Sequence, residues 1–81
     1  HNPEDVILSI EPHQGRYIKS FPLHESQRIL AETSDELRIS LHIYLSQDFI
    51  MELLSLGDRL CVIAPRRLKN MLNKIHQQAV R

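Results

Sequence analysis

Hydrophobic and polar residues alternate most regularly between Leu37 and Leu45, where every second side chain is apolar. A period of two is typical of a β-strand with one buried and one polar face. Shorter apolar runs predict three further strands, at Val6–Ile10, Ser26–Thr33 and Arg59–Ala64. The Ser34–Asp35 turn joins the run at Ser26–Thr33 to the run at Leu37–Leu45 and predicts a β-hairpin.

Three other segments have apolar residues at helical spacing. Pro12 suits the first turn of a helix, and Pro22 ends that helix at Phe21. Ser46 is placed to cap a second helix, which Gly57 can end in a left-handed turn. Pro65 begins a third helix, whose apolar stripe consists of Leu68, Met71, Leu72, Ile75 and Ala79.

The predicted order of elements is β-α-β-β-α-β-α. Two βαβ halves around a central hairpin indicate an α+β fold, the ferredoxin-like βαββαβ sandwich, with an antiparallel sheet, helices on one face and an extra C-terminal helix. With 81 residues, 42% of them hydrophobic, residues 1–81 form a single domain. Because the first residue is His1 rather than methionine, we expect the chain to be part of a longer protein.

Charge is distributed unevenly along the chain. Residues 1–58 hold four bases and ten acids, a net charge of −6, whereas residues 59–81 hold six bases and no acid, a net charge of +6. Such asymmetry indicates either a basic surface for nucleic acid or an acidic partner, or two halves that neutralise each other in the fold, which we favour. No apolar run approaches the ~20 residues of a membrane-spanning helix, and the single Cys61 allows no internal disulfide, so we expect a cytoplasmic protein.

Catalytic and metal-binding patterns are missing from the sequence. The five histidines show no H-x-x-x-H spacing and there is no cysteine pair, so we expect no metal. His24 and Ser26 could share one face as a base and a nucleophile, but no nucleophile elbow accompanies them. Two glycines are too few for a phosphate-binding loop. We therefore predict no catalytic residue, no cofactor and no enzymatic activity.

Polar residues near the first helix and the second strand, together with two bases of the last helix, are candidates for ligand or nucleic-acid binding. Arg66 and Arg67 oppose the dipole of the last helix, so we expect them to meet an anionic ligand, a nucleic-acid backbone or, as the favoured alternative, an acidic side chain. The polar sheet face could bind single-stranded RNA, but one tyrosine, Tyr44, is a poor stacking platform. The candidates are Arg16, Lys19, His24, Ser26, Gln27, Arg28, Arg66 and Arg67.

The second helix carries an apolar band wider than one packing face requires. We therefore predict that part of it lies at an interface between subunits or domains. The candidate interface residues are Phe49, Ile50, Met51 and Leu54.

An ordered set of short motifs carries a family resemblance. It includes Tyr17 in the first helix, the P-x-H-x-S-Q segment at Pro22–Gln27, the acid–aromatic pair Asp48–Phe49, the L-L-S-x-G run at Leu53–Gly57, and the strand from Val62 to Pro65. In this set the chain resembles the C-terminal extension, or WCX domain, of bacterial WYL-domain transcriptional regulators. The chain has no tryptophan, so the Trp-Tyr-Leu motif itself is absent.

The resemblance implies an effector-sensing and oligomerisation module of a WYL-type helix-turn-helix regulator. Its expected partners are its own N-terminal WYL and helix-turn-helix domains, a second copy in a dimer, and a nucleic-acid or nucleotide effector. Operator DNA would be contacted only through the N-terminal domain. The alternatives are direct binding of single-stranded nucleic acid or a nucleotide, and a ferredoxin-like sensor of a small molecule. Replacing His24 and Gln27 by alanine is expected to alter effector response more than folding.

Overall fold

The computed structural model describes the backbone of residues 2–79 and the side chains of residues 2–75. The elements follow one another in the predicted order, with a 3₁₀ turn at Gly57–Arg59 between the second helix and the fourth strand. They are β1 (Glu4–Ile10), α1 (Pro12–Ser20), β2 (Arg28–Glu32), β3 (Leu37–Ile43), α2 (Gln47–Ser55), β4 (Leu60–Ala64) and α3 (Arg66–Ala79).

The four strands form one antiparallel sheet in the order β2-β3-β1-β4. The central strands β1 and β3 pair without a break, from Glu4 opposite Ile43 to Ile10 opposite Leu37. The edge strands β2 and β4 each pair with a register shift. This is the α+β, ferredoxin-like sandwich that the sequence predicts, with α3 as the additional helix.

The core lies on one face of this sheet. Alternate residues of β1 and β3 point there, as the period of two predicts. The helices cover the same face and contribute Ile18 from α1, Phe49 and Leu53 from α2, and Leu68 from α3. Burying each such side chain contributes roughly 1.5–3 kcal/mol. The strand residues of the core are Val6, Leu8, Ile10, Leu37, Ile39, Leu41 and Val62.

The opposite face of the sheet is uncovered by any helix in the described residues. Ser9, Arg38 and Ser40 are half-buried there, and His42 is exposed. Ser9 donates a 2.6 Å hydrogen bond to Glu36, and this bond is the main reason that the pKa of Glu36 lies below its usual value. Polar side chains on this face thus bind one another across strands.

Two predicted strands are shorter than their apolar patterns suggest. β2 begins at Arg28 rather than Ser26, because Ser26 bonds to β3 through its side chain instead of its backbone and the side chain of Gln27 bonds within the loop. β3 ends at Ile43 rather than Leu45. The chain turns there, and the N–H of Ser46 donates to the carbonyl of Tyr44 at 2.8 Å.

The other boundaries differ for local reasons. β1 begins at Glu4, two residues before the predicted start, since it pairs with β3 along its whole length. β4 begins at Leu60 because Gly57–Arg59 wind into the 3₁₀ turn. In α3, Leu68 is buried and Leu72 packs against the core as predicted, whereas the side chain of Ala79 lies outside the described residues.

The helix ends confirm most of the predicted capping. Ser46 accepts a 3.1 Å hydrogen bond from the N–H of Phe49 at the start of α2, and Gly57 has a φ of 60°. Glu11 caps α1 by accepting from the N–H of Gln14, and this bond holds its pKa below the usual value. Pro65 precedes α3 rather than opening it, and its carbonyl accepts the first helical hydrogen bonds.

Gly15 marks the closest approach of α1 to the sheet. A Cβ atom added at Gly15 would lie only 2.8 Å from the Cβ of Leu37, which is itself 1% exposed. Helix propensity favours alanine over glycine by about 1 kcal/mol. The packed core cannot yield easily, so the close contact explains why glycine stands in this helix.

We therefore expect Gly15→Ala to destabilise the domain despite its better helix propensity. Overpacking of a well-packed core typically costs about 1–3 kcal/mol, so the net free energy of unfolding should fall. Urea denaturation measures this change, with the exposed Ser20→Ala in the same helix as the control that leaves stability nearly unchanged. A variant Gly15→Ala as stable as the wild type would show that α1 can move away from Leu37.

Candidate functional site

The segment between α1 and β2 is held by the side chain of Gln27. Its Nε2 donates to the carbonyl of Ile18 at 3.2 Å, and its Oε1 accepts from the N–H of Leu23 at 2.9 Å. The N–H of Gln27 also donates to the carbonyl of His24 at 3.0 Å. One amide side chain therefore ties the connecting loop to the last turns of α1.

Ser26 ties the same loop to the sheet. Its Oγ accepts a 2.8 Å hydrogen bond from the N–H of His42 in β3 and lies 2.7 Å from Nδ1 of His24. The N–H of Ser26 donates to that same nitrogen at 3.2 Å. In the tautomer of His24 that carries its proton on Nε2, Nδ1 accepts from both the N–H and the hydroxyl of Ser26. β2 begins only opposite Ser40, so Ser26 supplies the partner that a longer strand would have given His42.

His24, Ser26 and Gln27 form what we call the loop clasp, in which every polar side chain has a partner within the chain. The serine–histidine contact resembles a nucleophile beside its base. A nucleophile also needs an orienting group behind the base, and among the described residues no hydrogen bond reaches the other nitrogen of His24. The hydrogen bonds of the loop clasp therefore anchor the loop.

A shallow groove of about 310 Å³ lies between the loop clasp and the uncovered face of the sheet. It carries both signs of charge, and His42 Nδ1 lies 2.8 Å from the carboxylate of Asp5. Because the groove carries both charges, it favours neither an anionic nor a cationic ligand. The lining residues are Asp5, Glu25, Ser26, Gln27, Arg28, Ser40, Leu41 and His42.

Asp5 and Glu25 are residues of this groove that the sequence analysis does not single out. Asp5 stands directly opposite His42 in the register of β1 and β3. Alternation along β3 predicts the face on which His42 lies, but the residue opposite it depends on pairing between segments 37 positions apart. Glu25 is exposed in the turn of the loop, and only its position next to Ser26 could have indicated it.

The structure does not bring the candidate binding residues together. Ser26, Gln27 and Arg28 line the groove, while Lys19 pairs with Glu32 at 2.7 Å along β2. Arg16 lines a separate groove that includes Glu32. These two bases of α1 therefore do not add positive charge to the groove beside the loop clasp.

The two arginines of α3 have different surroundings. Arg67 donates to the carboxylate of Glu4, so the favoured acidic contact is present for this residue. Arg66 is exposed and has no ion pair within the described residues. The basic C-terminal part and the acidic N-terminal part thus meet directly at one ion pair in the part of the chain that is described.

The candidate interface on α2 needs one correction. Phe49 is 4% exposed and belongs to the core, so it offers no surface to a partner. Helical periodicity turns Phe49 and Leu53 toward the sheet, and Met51, 58% exposed, points away. Ile50 and Leu54 are half-buried at the side of the helix. The apolar surface of α2 consists of these last three residues.

Two kinds of feature are missing from the described part of the chain. It contains no group of three or more histidine, cysteine, aspartate or glutamate residues arranged to hold a metal ion. None of its helices is long and apolar enough to cross a bilayer.

The family model of the WCX domain matches residues 2–80, which is nearly the whole chain. The chain belongs to the WCX domain family. No curated protein matches it. The P-x-H-x-S-Q segment, on which the resemblance partly rests, contains the loop clasp. In this WCX domain the polar residues of the clasp therefore join α1 to β3.

The sequence predicts that changing His24 and Gln27 alters effector response more than folding, but the hydrogen bonds of Gln27 to α1 and the loop lead us to expect that Gln27→Ala destabilises this WCX domain. The change removes two hydrogen bonds and leaves the half-buried N–H of Leu23 without its acceptor, a loss of about 1–3 kcal/mol. Urea denaturation measures the free energy of unfolding. The control is Glu25→Ala in the same loop, whose exposed side chain should change stability by about 0.5 kcal/mol or less. Equal stability of the two variants would mean that the clasp contributes nothing to the fold.

Proposed function

We propose that this WCX domain is the C-terminal effector-sensing and oligomerisation module of a WYL-type helix-turn-helix transcriptional regulator. Family membership supports a place beside a WYL domain and a helix-turn-helix domain of the same protein, through which operator DNA would be bound. The role is regulatory rather than catalytic. A nucleic-acid or nucleotide effector, as the resemblance implies, stays a prediction.

The observation that carries the oligomerisation role is the amount of exposed apolar surface. Between 43% and 64% of each of seven large hydrophobic side chains is accessible to solvent in the described residues. Exposed apolar surface marks sites of protein association where it is contiguous, as it is at Tyr17 and Phe21, whose ring centroids lie 5.0 Å apart. The exposed residues are Tyr17, Phe21, Ile29, Leu30, Tyr44, Met51 and Ile63.

Among these residues, Met51 belongs to the apolar surface of α2. Ile50 and Leu54 lie beside it on the helix, so the surface joins a flexible thioether to two branched side chains. No base lies on α2, and its acids, Asp48 and Glu52, lie on the side of the helix away from Ile50 and Leu54, so a copy of the same helix can approach these two residues without like charges meeting. Most homodimers bury the same patch on both subunits. We therefore assign this surface to contact with a second copy.

The proposal predicts that Met51→Lys weakens self-association. A lysine ammonium at the centre of an apolar contact would be buried without a partner, and we expect the dimer dissociation constant to rise at least about tenfold. Sedimentation equilibrium over a range of concentrations measures that constant.

The matched control is Ser20→Lys, because it adds the same charge to an exposed position in the last turn of α1, off the surface of α2. A base in the last turn favours the helix, so folding is preserved. This control should associate like the wild type. A wild-type chain that stays monomeric at high concentration, or a Met51→Lys variant that associates unchanged, would refute contact through α2.

A further inference from the structure

A second apolar feature is the cleft between α2, β4 and α3, with a volume of about 280 Å³. Its floor is made by the buried Leu53 and Val62, and its sides by the half-buried Leu54, Leu60 and Leu72. All of these side chains except Leu54 belong to the core or pack against it, so the cleft is bounded by packed parts of the fold. Aliphatic surface of this kind binds an apolar group.

The rim of the cleft carries two opposite charges. Asp58 comes from the 3₁₀ turn, and Lys69 comes from the first turns of α3, with Asn73 one turn further along. Asp58 and Lys69 are both exposed, and neither forms an ion pair with another residue of the described chain. One acid and one base therefore stand at the mouth of the same apolar cleft with their charges unpaired.

The size and the charges together restrict the ligand. Sites for small molecules usually measure about 300–1,000 Å³, so this cleft suits a ligand at the small end of that range. A ligand with one charge would leave either Asp58 or Lys69 unpaired beside it. A purely apolar ligand would leave both unpaired and partly desolvated, which costs free energy. A small molecule with an apolar body and both charges satisfies the whole site.

We propose that this cleft binds a free amino acid with an apolar side chain. The ligand's ammonium group donates to the carboxylate of Asp58, and its carboxylate accepts from the ammonium of Lys69 and the amide of Asn73. Its side chain lies on the leucine-lined floor. This inference names a ligand class for the sensing part of the proposed function and rests on that function only for its biological role.

Leucine is the probe, added at millimolar concentration to the 81-residue chain and followed by two-dimensional NMR. The backbone signals of residues that line the cleft should shift and saturate. Two analogues test the charges: 4-methylpentanoate lacks the ammonium group, and 3-methylbutylamine lacks the carboxylate. Each should bind about tenfold or more weakly than leucine, because each lacks one of the two charged groups that pair with Asp58 and Lys69.

The matching variants are Asp58→Asn and Lys69→Met, which should also weaken leucine binding by about tenfold or more for the same reason. Both positions are exposed, so the fold is retained, as unchanged signals elsewhere would show. Lys74→Met is the control, since Lys74 is an exposed base of the same helix that does not line the cleft. It should bind leucine like the wild type.

Three results would overturn the proposal. They are an absence of saturable shifts at the cleft, equal binding of leucine and of either analogue, and signals of Val62 and Asn73, two cleft residues that lie off α2, that move with protein concentration alone, which would mean that a second copy occupies the cleft. Failure of leucine binding leaves self-association through α2 intact. Sedimentation without leucine tests that association separately.

Discussion

The register between β1 and β3 is the constraint on which the rest of this WCX domain depends. It aligns Val6, Leu8 and Ile10 with Leu41, Ile39 and Leu37, all on one face. A slip of one residue would turn the apolar side chains of the strand that slips toward the opposite face of the sheet. The three helices pack on this face of the four-stranded sheet. Together with the strand residues they complete the core of this small domain on one side of the sheet.

The same register also determines which groups the polar residues near the loop clasp can bind. His42 faces Asp5 across the central strands, and its N–H reaches Ser26, while Gln27 holds the other end of the loop to α1. These polar groups bind within the chain, and the surfaces that we assign to partners lie elsewhere, on α2 and in the cleft beside it. The surface of α2 and the cleft beside it share Leu54, so a ligand in the cleft would lie next to the proposed contact between subunits.

Sequence periodicity predicts the elements and their order because each depends on local spacing. The alternation along β3, the cap at Ser46 and the left-handed turn at Gly57 are all local features, and all three are confirmed. The side chains of Ser26 and Gln27 bond to backbone groups elsewhere in the chain, and these bonds compete with strand pairing. Such bonds leave no periodic trace in the sequence, so the apolar pattern predicts a strand that begins too early, at Ser26. Phe49 was assigned to an interface because a wide apolar band does not show which of its residues face the sheet. The contact of Arg67 with Glu4 joins residues 63 positions apart and needs the tertiary fold.

The central claim is that the polar side chains of the P-x-H-x-S-Q segment hold the loop between α1 and β2 to the rest of the domain. Amide hydrogen exchange of the 81-residue chain without any ligand tests it most directly. The account predicts slow exchange for the N–H of Leu23, which donates to Gln27, and for the N–H of His42, which donates to Ser26. The exposed turn residue Glu25 should exchange quickly. Exchange of Leu23 and His42 as fast as that of Glu25 would contradict the claim.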